Sequence, residues 1–299
     1  MQSLSRHGIG GSEIAAAVGI SRYKSQFALW LEKTGKSPPL SGNVCTRLGQ
    51  LCEPRARQLY ADATGHAVIT PPCSIFHERF PWARATPDGV VENDPRHLVQ
   101  IKCVGYYVGR RWKYDGLPIE IEAQCQWEML VTGADRNDLC AIVGSDELAW
   151  ERLILGDEID PARVFDSATL QITTIHRNEY DISILLDRAQ QFWRYVETDT
   201  QPPIDSSVEC TKWLNRKRPK ASVTVSSDDP EIAAYVDEFR VAYKCGSENE
   251  RRLDLAKNRV RQLLADVGAN RIDTPDGPIT WIEKSNGSHQ LRAPSSWSE

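Results

Sequence analysis

The stretch Ala83 to Val104, ARATPDGVVENDPRHLVQIKCV, constrains the fold of this chain more than any other. Thr86-Pro87-Asp88-Gly89 reads as a turn, because Pro presets one turn position and Asp and Gly favour the others. The turn opens into the short apolar pair Val90-Val91, and a second strand is predicted from Leu98 to Val104. Side chains alternate along a strand, so Gln100 and Lys102, at i and i+2, share one face. A carboxylate at the turn then faces an amide and an amine on a neighbouring strand. An ordinary hairpin with a solvated polar face has the same spacing, so these residues need company before they imply chemistry.

That company exists. The order Pro87-Asp88, eleven intervening residues, then Gln100-Ile101-Lys102 resembles the PD-(D/E)XK nucleases, except that the second acid is Gln. Nuclease chains of that kind hold a divalent metal and a water beside a phosphodiester. Further blocks resemble the YqaJ-like phage recombinases, relatives of lambda exonuclease. They are Ile9-Gly10-Gly11-Ser12-Glu13-Ile14-Ala15-Ala16, Gly19-Ile20-Ser21-Arg22-Tyr23-Lys24-Ser25, and Leu29-Trp30-Leu31-Glu32-Lys33-Thr34-Gly35. Leu48-Gly49 with Cys52-Glu53-Pro54 follows, and Ala123-Gln124-Cys125-Gln126 runs on to Thr132-Gly133. The resemblance covers roughly the first 200 residues. It implies an α/β fold: a PD-(D/E)XK restriction-endonuclease-like core, with a mixed central sheet flanked by helices.

The same resemblance implies a site. Glu53 and Asp88, with Gln100 and the Ile101 carbonyl, would hold Mg²⁺ or Mn²⁺, since Mg²⁺ takes a few carboxylates plus waters. Lys102 would orient or deprotonate the attacking water, and Gln124 would position water or the scissile phosphate. Arg6 and Ser12 resemble the family residues that hold a 5′-terminal phosphate, with Arg22 and Lys24 as competitors for that role. An arginine suits bidentate phosphate contact, and Ser12 is read as the cap of a helix whose first amides favour an anion.

Gln100 keeps the size and one carbonyl oxygen of a glutamate but removes a full negative charge. Such a loss weakens cation binding and lowers turnover by orders of magnitude. Restoring the acid by Gln100→Glu is accordingly expected to raise hydrolysis at least about a hundredfold. Three readings stand: an engineered replacement that traps DNA uncut, a natural variant that still cuts, and a binding-only protein.

Composition sets outer bounds. The 299 residues, 40% apolar and with nine Trp, can bury a full core. The net charge of -5 is not that of a passive DNA coat protein, although a nuclease can segregate acids at its metals and bases in a groove. No apolar run reaches the roughly 18 residues of a membrane span, and MQSLSRHGIG lacks a signal-peptide apolar region, so a cytoplasmic protein of a bacterial host is expected. The eight cysteines form no CxxC pair, which predicts reduced thiols and no iron–sulfur cluster.

Periodicity and breakers predict helices over 10–18, 25–33, 46–64, 118–131 and 177–198. The last of these is built on Tyr180, Ile184, Ala189 and Trp193. Strands are predicted at 66–70, 74–77, 82–85, 90–92, 98–104, 138–143, 150–154 and 170–175. The break Gln201-Pro202-Pro203 divides a core, 1–203, from a mostly helical appendage, 204–299. That appendage is read as a basic segment from Thr211 to Lys220, a short strand and turn from Val223 to Asp229, two helices between Pro230 and Gly268, and a final hairpin.

The function that follows is a Mg²⁺-dependent 5′→3′ exonuclease acting on double-stranded DNA ends and leaving 3′ overhangs for recombination. By resemblance its partners would be a single-strand annealing protein and further copies of itself, as a trimer. A non-cutting DNA-end-binding module and a structure-specific endonuclease on the same fold are the alternatives.

Overall fold

The computed structural model of the chain describes residues 7–38, 44–144, 169–220, 223–244 and 250–298. Two compact units divide it, Met1–Thr200 and Gln201–Glu299.

In the first unit, among the described residues, five strands form a sheet in the order β1-β4-β5-β6-β7. The strands are β1 (Val68–Ile69), β4 (Gly89–Val91), β5 (Asp94–Val104), β6 (Arg136–Val143) and β7 (Thr169–His176). A separate small ribbon pairs β2 (Ile75–Phe76) with β3 (Arg84–Ala85). β5 and β6 run parallel, with His97 opposite Arg136 and Val104 opposite Val143, while the other neighbours in the sheet are antiparallel. The sheet is therefore mixed. A parallel pair needs a crossover, and here α4 (Tyr106–Asp115) and α5 (Ile119–Thr132) supply it.

β5 is four residues longer at its start than its apolar alternation predicts, because the polar Asp94–His97 segment also pairs. From Leu98 to Ile101 it is buried on both faces, as expected for an inner strand. Val99 and Ile101 face α3 (Val44–Thr64), packing with Cys52, Ala56 and Tyr60. Leu98 faces α5, packing with Cys125 and Met129. The alternation hands Gln100 and Lys102 to the α5 side.

α5 is covered on most sides, and Ala123, Cys125, Gln126, Trp127, Glu128, Met129 and Val131 are buried. A helix of that kind belongs inside a domain rather than on its surface. It packs against α1 (Gly11–Ala17), the sheet and α6 (Glu179–Glu197). The Trp127 indole fixes its position by donating to the carbonyls of Ile9 (3.2 Å) and Arg84 (3.1 Å). α2 (Gln26–Lys33) is capped by Ser25, whose Oγ accepts from the Ala28 amide, and its Phe27, Trp30 and Leu31 stripe is buried as predicted.

Several expectations change. Ser12 is not the cap of α1: Gly10 is, with its amide donating to the Glu13 carboxylate at 2.9 Å. The buried face of α6 is Ile182, Leu185, Ala189 and Phe192, while Tyr180 is 72% exposed. That stripe keeps the i, i+3, i+7 spacing around Ala189 and is rotated from the one predicted. α4 was not expected. Its Gly109 lets it lie against β6, since a Cβ there would sit 2.5 Å from Val143 Cγ2. Gly109→Ala is therefore expected to lower stability by about 1–3 kcal/mol through overpacking, read as a lower denaturant midpoint. The predicted strand 150–154 lies outside the described residues.

The second unit is predominantly helical, and the expected short strand and final hairpin both form within it. It joins α7 (Val208–Arg216), α8 (Pro230–Lys244) and α9 (Glu250–Asp266) to a four-stranded sheet. That sheet contains β8 (Thr224–Ser226), β9 (Arg271–Thr274), β10 (Gly277–Glu283) and β11 (His289–Arg292). Phe239, Val260, Leu264, Ile272 and Trp281 share its core. Part of the basic run is structural: the Arg218 guanidinium donates to the Trp281 carbonyl at 2.8 Å, and Asn215 accepts from the Trp281 indole. No helix among the described residues is long and apolar enough to cross a membrane.

Candidate active site

The β4–β5 hairpin carries Asp88 to the mouth of a cleft. Gly89 is the first residue of β4, and a Cβ on it would collide with the Val68 side chain, so close approach rather than a special φ demands glycine there. Asp88 is thereby held against β5. Its Oδ2 accepts from the Ile101 amide at 2.8 Å and from the Gln100 side-chain amide. The amide and carbonyl of one strand residue leave by the same edge. The Ile101 carbonyl is thus presented on the Asp88 side.

Gln100 is 2% exposed, and its Oε1 accepts from Gln124 Nε2 at 3.0 Å. Gln124 in turn accepts from Lys102 Nζ through its Oε1, at 3.0 Å. Glu53 arrives from α3 and pairs with Arg57 at 3.7 Å, while Arg57 also donates to the Asp88 carbonyl at 3.0 Å. Pro54, inside α3, has no amide to give the Gln50 carbonyl, which loosens the helix beside Glu53.

Glu53, Asp88, Gln100, Ile101, Lys102, Gln124 and Ser12 all line one cleft of about 350 Å³. The structure thus brings these seven residues together. Arg6 lies outside the described residues. Its competitors are engaged away from the cleft, Arg22 with Glu120 and Lys24 with Glu32.

Three cleft-wall or supporting residues were not singled out from the sequence. Arg84, on β3, lines the cleft and pairs with Glu13 at 3.3 Å. Arg57 braces both Glu53 and the Asp88 main chain. Glu128, one turn along α5 from Gln124, is 1% exposed yet reaches the cleft wall. Its Oε1 accepts from Gln124 at 2.9 Å and its Oε2 from Asn137 at 3.1 Å. Gly11 is glycine because of this carboxylate, as a Cβ there would sit 2.6 Å from Glu128 Oε1. The available signal was a single acid in the otherwise uncharged run Ala123–Val131, four residues from Gln124.

Burial raises the carboxyl pKa of Asp88, opposed by Lys102. Burial, then the nearby Asp88 charge, raises that of Glu53. Burial, then Asp88 again, pushes Glu128 up to about 7. The site thus crowds acids that a positive charge would relieve. The described residues present oxygen donors here, which suit a hard divalent cation. Among those residues no group of three or more His, Cys, Asp or Glu is placed to hold a metal ion.

On the face of the sheet that packs on α3, Asp138 accepts from Tyr60 (2.6 Å) and Thr174 (2.7 Å), and lies 2.8 Å from His97 Nε2. Burial works against ionisation of Asp138, and these partners together still hold its pKa below the usual value. This buried group ties α3 to β6 and β7.

Residues 2–135 match the YqaJ-like viral recombinase domain. The YqaJ protein of Bacillus subtilis strain 168 is 24% identical over 157 residues, which are 52% of this chain and 49% of that protein. The match thus spans about half the length of that relative. Among solved structures, an alkaline exonuclease of Laribacter hongkongensis, LHK-Exo, superposes with a TM-score of 0.50 at 20% identity, over 72% of this chain and 95% of that one. LHK-Exo in complex with dAMP gives a TM-score of 0.50 at 22% identity, over 72% and 94%. At these identities the likeness is one of fold, and it is consistent with the PD-(D/E)XK-like core.

Proposed function

We propose, with the match of residues 2–135 to the YqaJ-like viral recombinase domain in support, that the cleft is that of a Mg²⁺-dependent 5′→3′ exonuclease acting on double-stranded DNA ends. The observation that supports this reading best is the convergence of Asp88, Glu53, Gln100, Lys102 and Gln124 on one cleft. Asp88 and Glu53, with oxygens of Gln100 and Ile101, would hold the cation. When bound, it would neutralise charge gathering on the scissile phosphate and acidify a water.

The rest is the work of the chain itself. Gln124 holds the Lys102 ammonium at 3.0 Å and fixes where its protons point. From there Lys102 orients the attacking water and takes part in moving its proton. Arg57 and the Ile101 amide keep Asp88 fixed as charge develops, so little reorganisation is needed at the moment of reaction. Ser12 on the cleft wall, with Arg6, would receive the 5′-terminal phosphate, which sets polarity and leaves a 3′ overhang. A single-strand annealing protein would take that overhang, and further copies of the chain would supply processivity.

Gln100 favours a second reading, a DNA-end-binding module that does not cut, because it leaves the β5 strand without its acid. Linear duplex, nicked circles and closed circles, each with Mg²⁺ and with a chelator, separate these readings. Shortening of linear duplex from its 5′ ends, in Mg²⁺ alone, is expected. Retention of uncut linear DNA in Mg²⁺ would favour the binding module. Cutting of nicked circles would favour a structure-specific endonuclease.

A further inference from the structure

Glu128 is the buried acid that the proposed chemistry has not used. Both Glu128 Oε1 and Gln100 Oε1 lie within 3.0 Å of the same nitrogen, Gln124 Nε2. The carboxylate therefore stands one amide away from the position at which the β5 strand lacks a charge. Its other oxygen is fixed by Asn137 on β6, and the first turn of α1 passes over it at Gly11. Three elements are thus shaped around a side chain that is 1% exposed. A carboxylate held there by two neutral amides must be offset by a proton or by a nearby positive charge.

We propose that Glu128 supplies the negative charge that Gln100 lacks, acting on a divalent cation in the cleft from behind Gln124 rather than as its direct ligand. The inference rests on the nuclease reading above. Gln124 is the link. Its amide nitrogen is anchored by Glu128 and Gln100, which turns its oxygen to Lys102. The acid has in effect moved from the strand to the helix that packs on it, and the charge of the site is kept while its direct ligands change. Gln124 bonds the ligand Gln100 directly and Glu128 stands behind it; partners of a metal's ligands commonly alter its affinity by about 10–100-fold when removed, and the lower end is expected here.

The test is calorimetric titration of Mn²⁺ into the full chain, stripped with chelator, at pH 8. Asp88→Asn serves as the control for the cation site itself. Glu128→Gln, which keeps size and hydrogen-bonding capacity, is expected to raise the Mn²⁺ Kd about tenfold or more. The double variant Gln100→Glu/Glu128→Gln is expected to return Kd to within about threefold of the wild type. A merely structural Glu128 would not be rescued by a charge placed on β5. Unchanged affinity in Glu128→Gln, with Asp88→Asn weakened, overturns the inference and leaves the nuclease reading standing. A wild-type chain that takes up no Mn²⁺ and cuts no DNA overturns both.

Discussion

Asp88→Asn is expected to reduce hydrolysis of linear duplex by about a thousandfold or more, with duplex-end binding in Ca²⁺ preserved. The expectation follows from how Asp88 is held. Its Oδ2 accepts from the Ile101 amide and the Gln100 side chain, and an asparagine oxygen can keep the first of these bonds. The hairpin therefore survives the change while the negative charge disappears. Ca²⁺ can fill an oxygen site without meeting the tighter geometry that hydrolysis demands, so binding and cutting separate. Lys102→Ala should be nearly as damaging, because Gln124 then holds no ammonium at the cleft. Single-turnover rates and filter binding on the same preparations give both quantities. Normal cutting by either variant would remove that residue from the mechanism.

The site was legible where strand alternation dictates it. A turn Asp and an i, i+2 pair on β5 can meet in few ways, whereas Arg57, although four residues after Glu53 on one helix, was missed. Where the sequence misled, long-range packing had decided. The stripe of α6 is rotated because Phe192 and Leu185 found buried places while Tyr180 did not. Ser12 lost its cap role because the Glu13 carboxylate satisfies the Gly10 amide, and Glu13 is itself held by Lys33 and Arg84 from distant elements. In the second unit the hairpin was legible from its Pro275-Asp276-Gly277 turn, whereas β11, four residues long, joins the sheet only by pairing with β10. Glu128 illustrates the limit most clearly. On a helix it is one more acid four residues from a glutamine, and its significance appears only when Asn137 and Gly11 close around it.

Gln100→Glu made in the Glu128→Gln chain is expected to raise Mg²⁺-dependent hydrolysis about a hundredfold, and in the wild-type chain distinctly less. The sequence alone led to the hundredfold in the wild type, since it showed a strand lacking its acid and nothing in compensation. With Glu128 beside Gln124, the cleft already holds three carboxylates, of Glu53, Asp88 and Glu128. A fourth at position 100 would face the Asp88 oxygen that now accepts the Gln100 amide, and the gain in cation attraction is partly cancelled by repulsion between neighbouring acids. Removing Glu128 first lifts that repulsion and leaves the cation short of charge, so the new glutamate acts at full value. The four rates of this cycle decide the matter, because side chains that share Gln124 as a partner should not be additive. Equal gains in both backgrounds would mean that positions 100 and 128 act independently, and the charge missing from β5 would then have no substitute on α5.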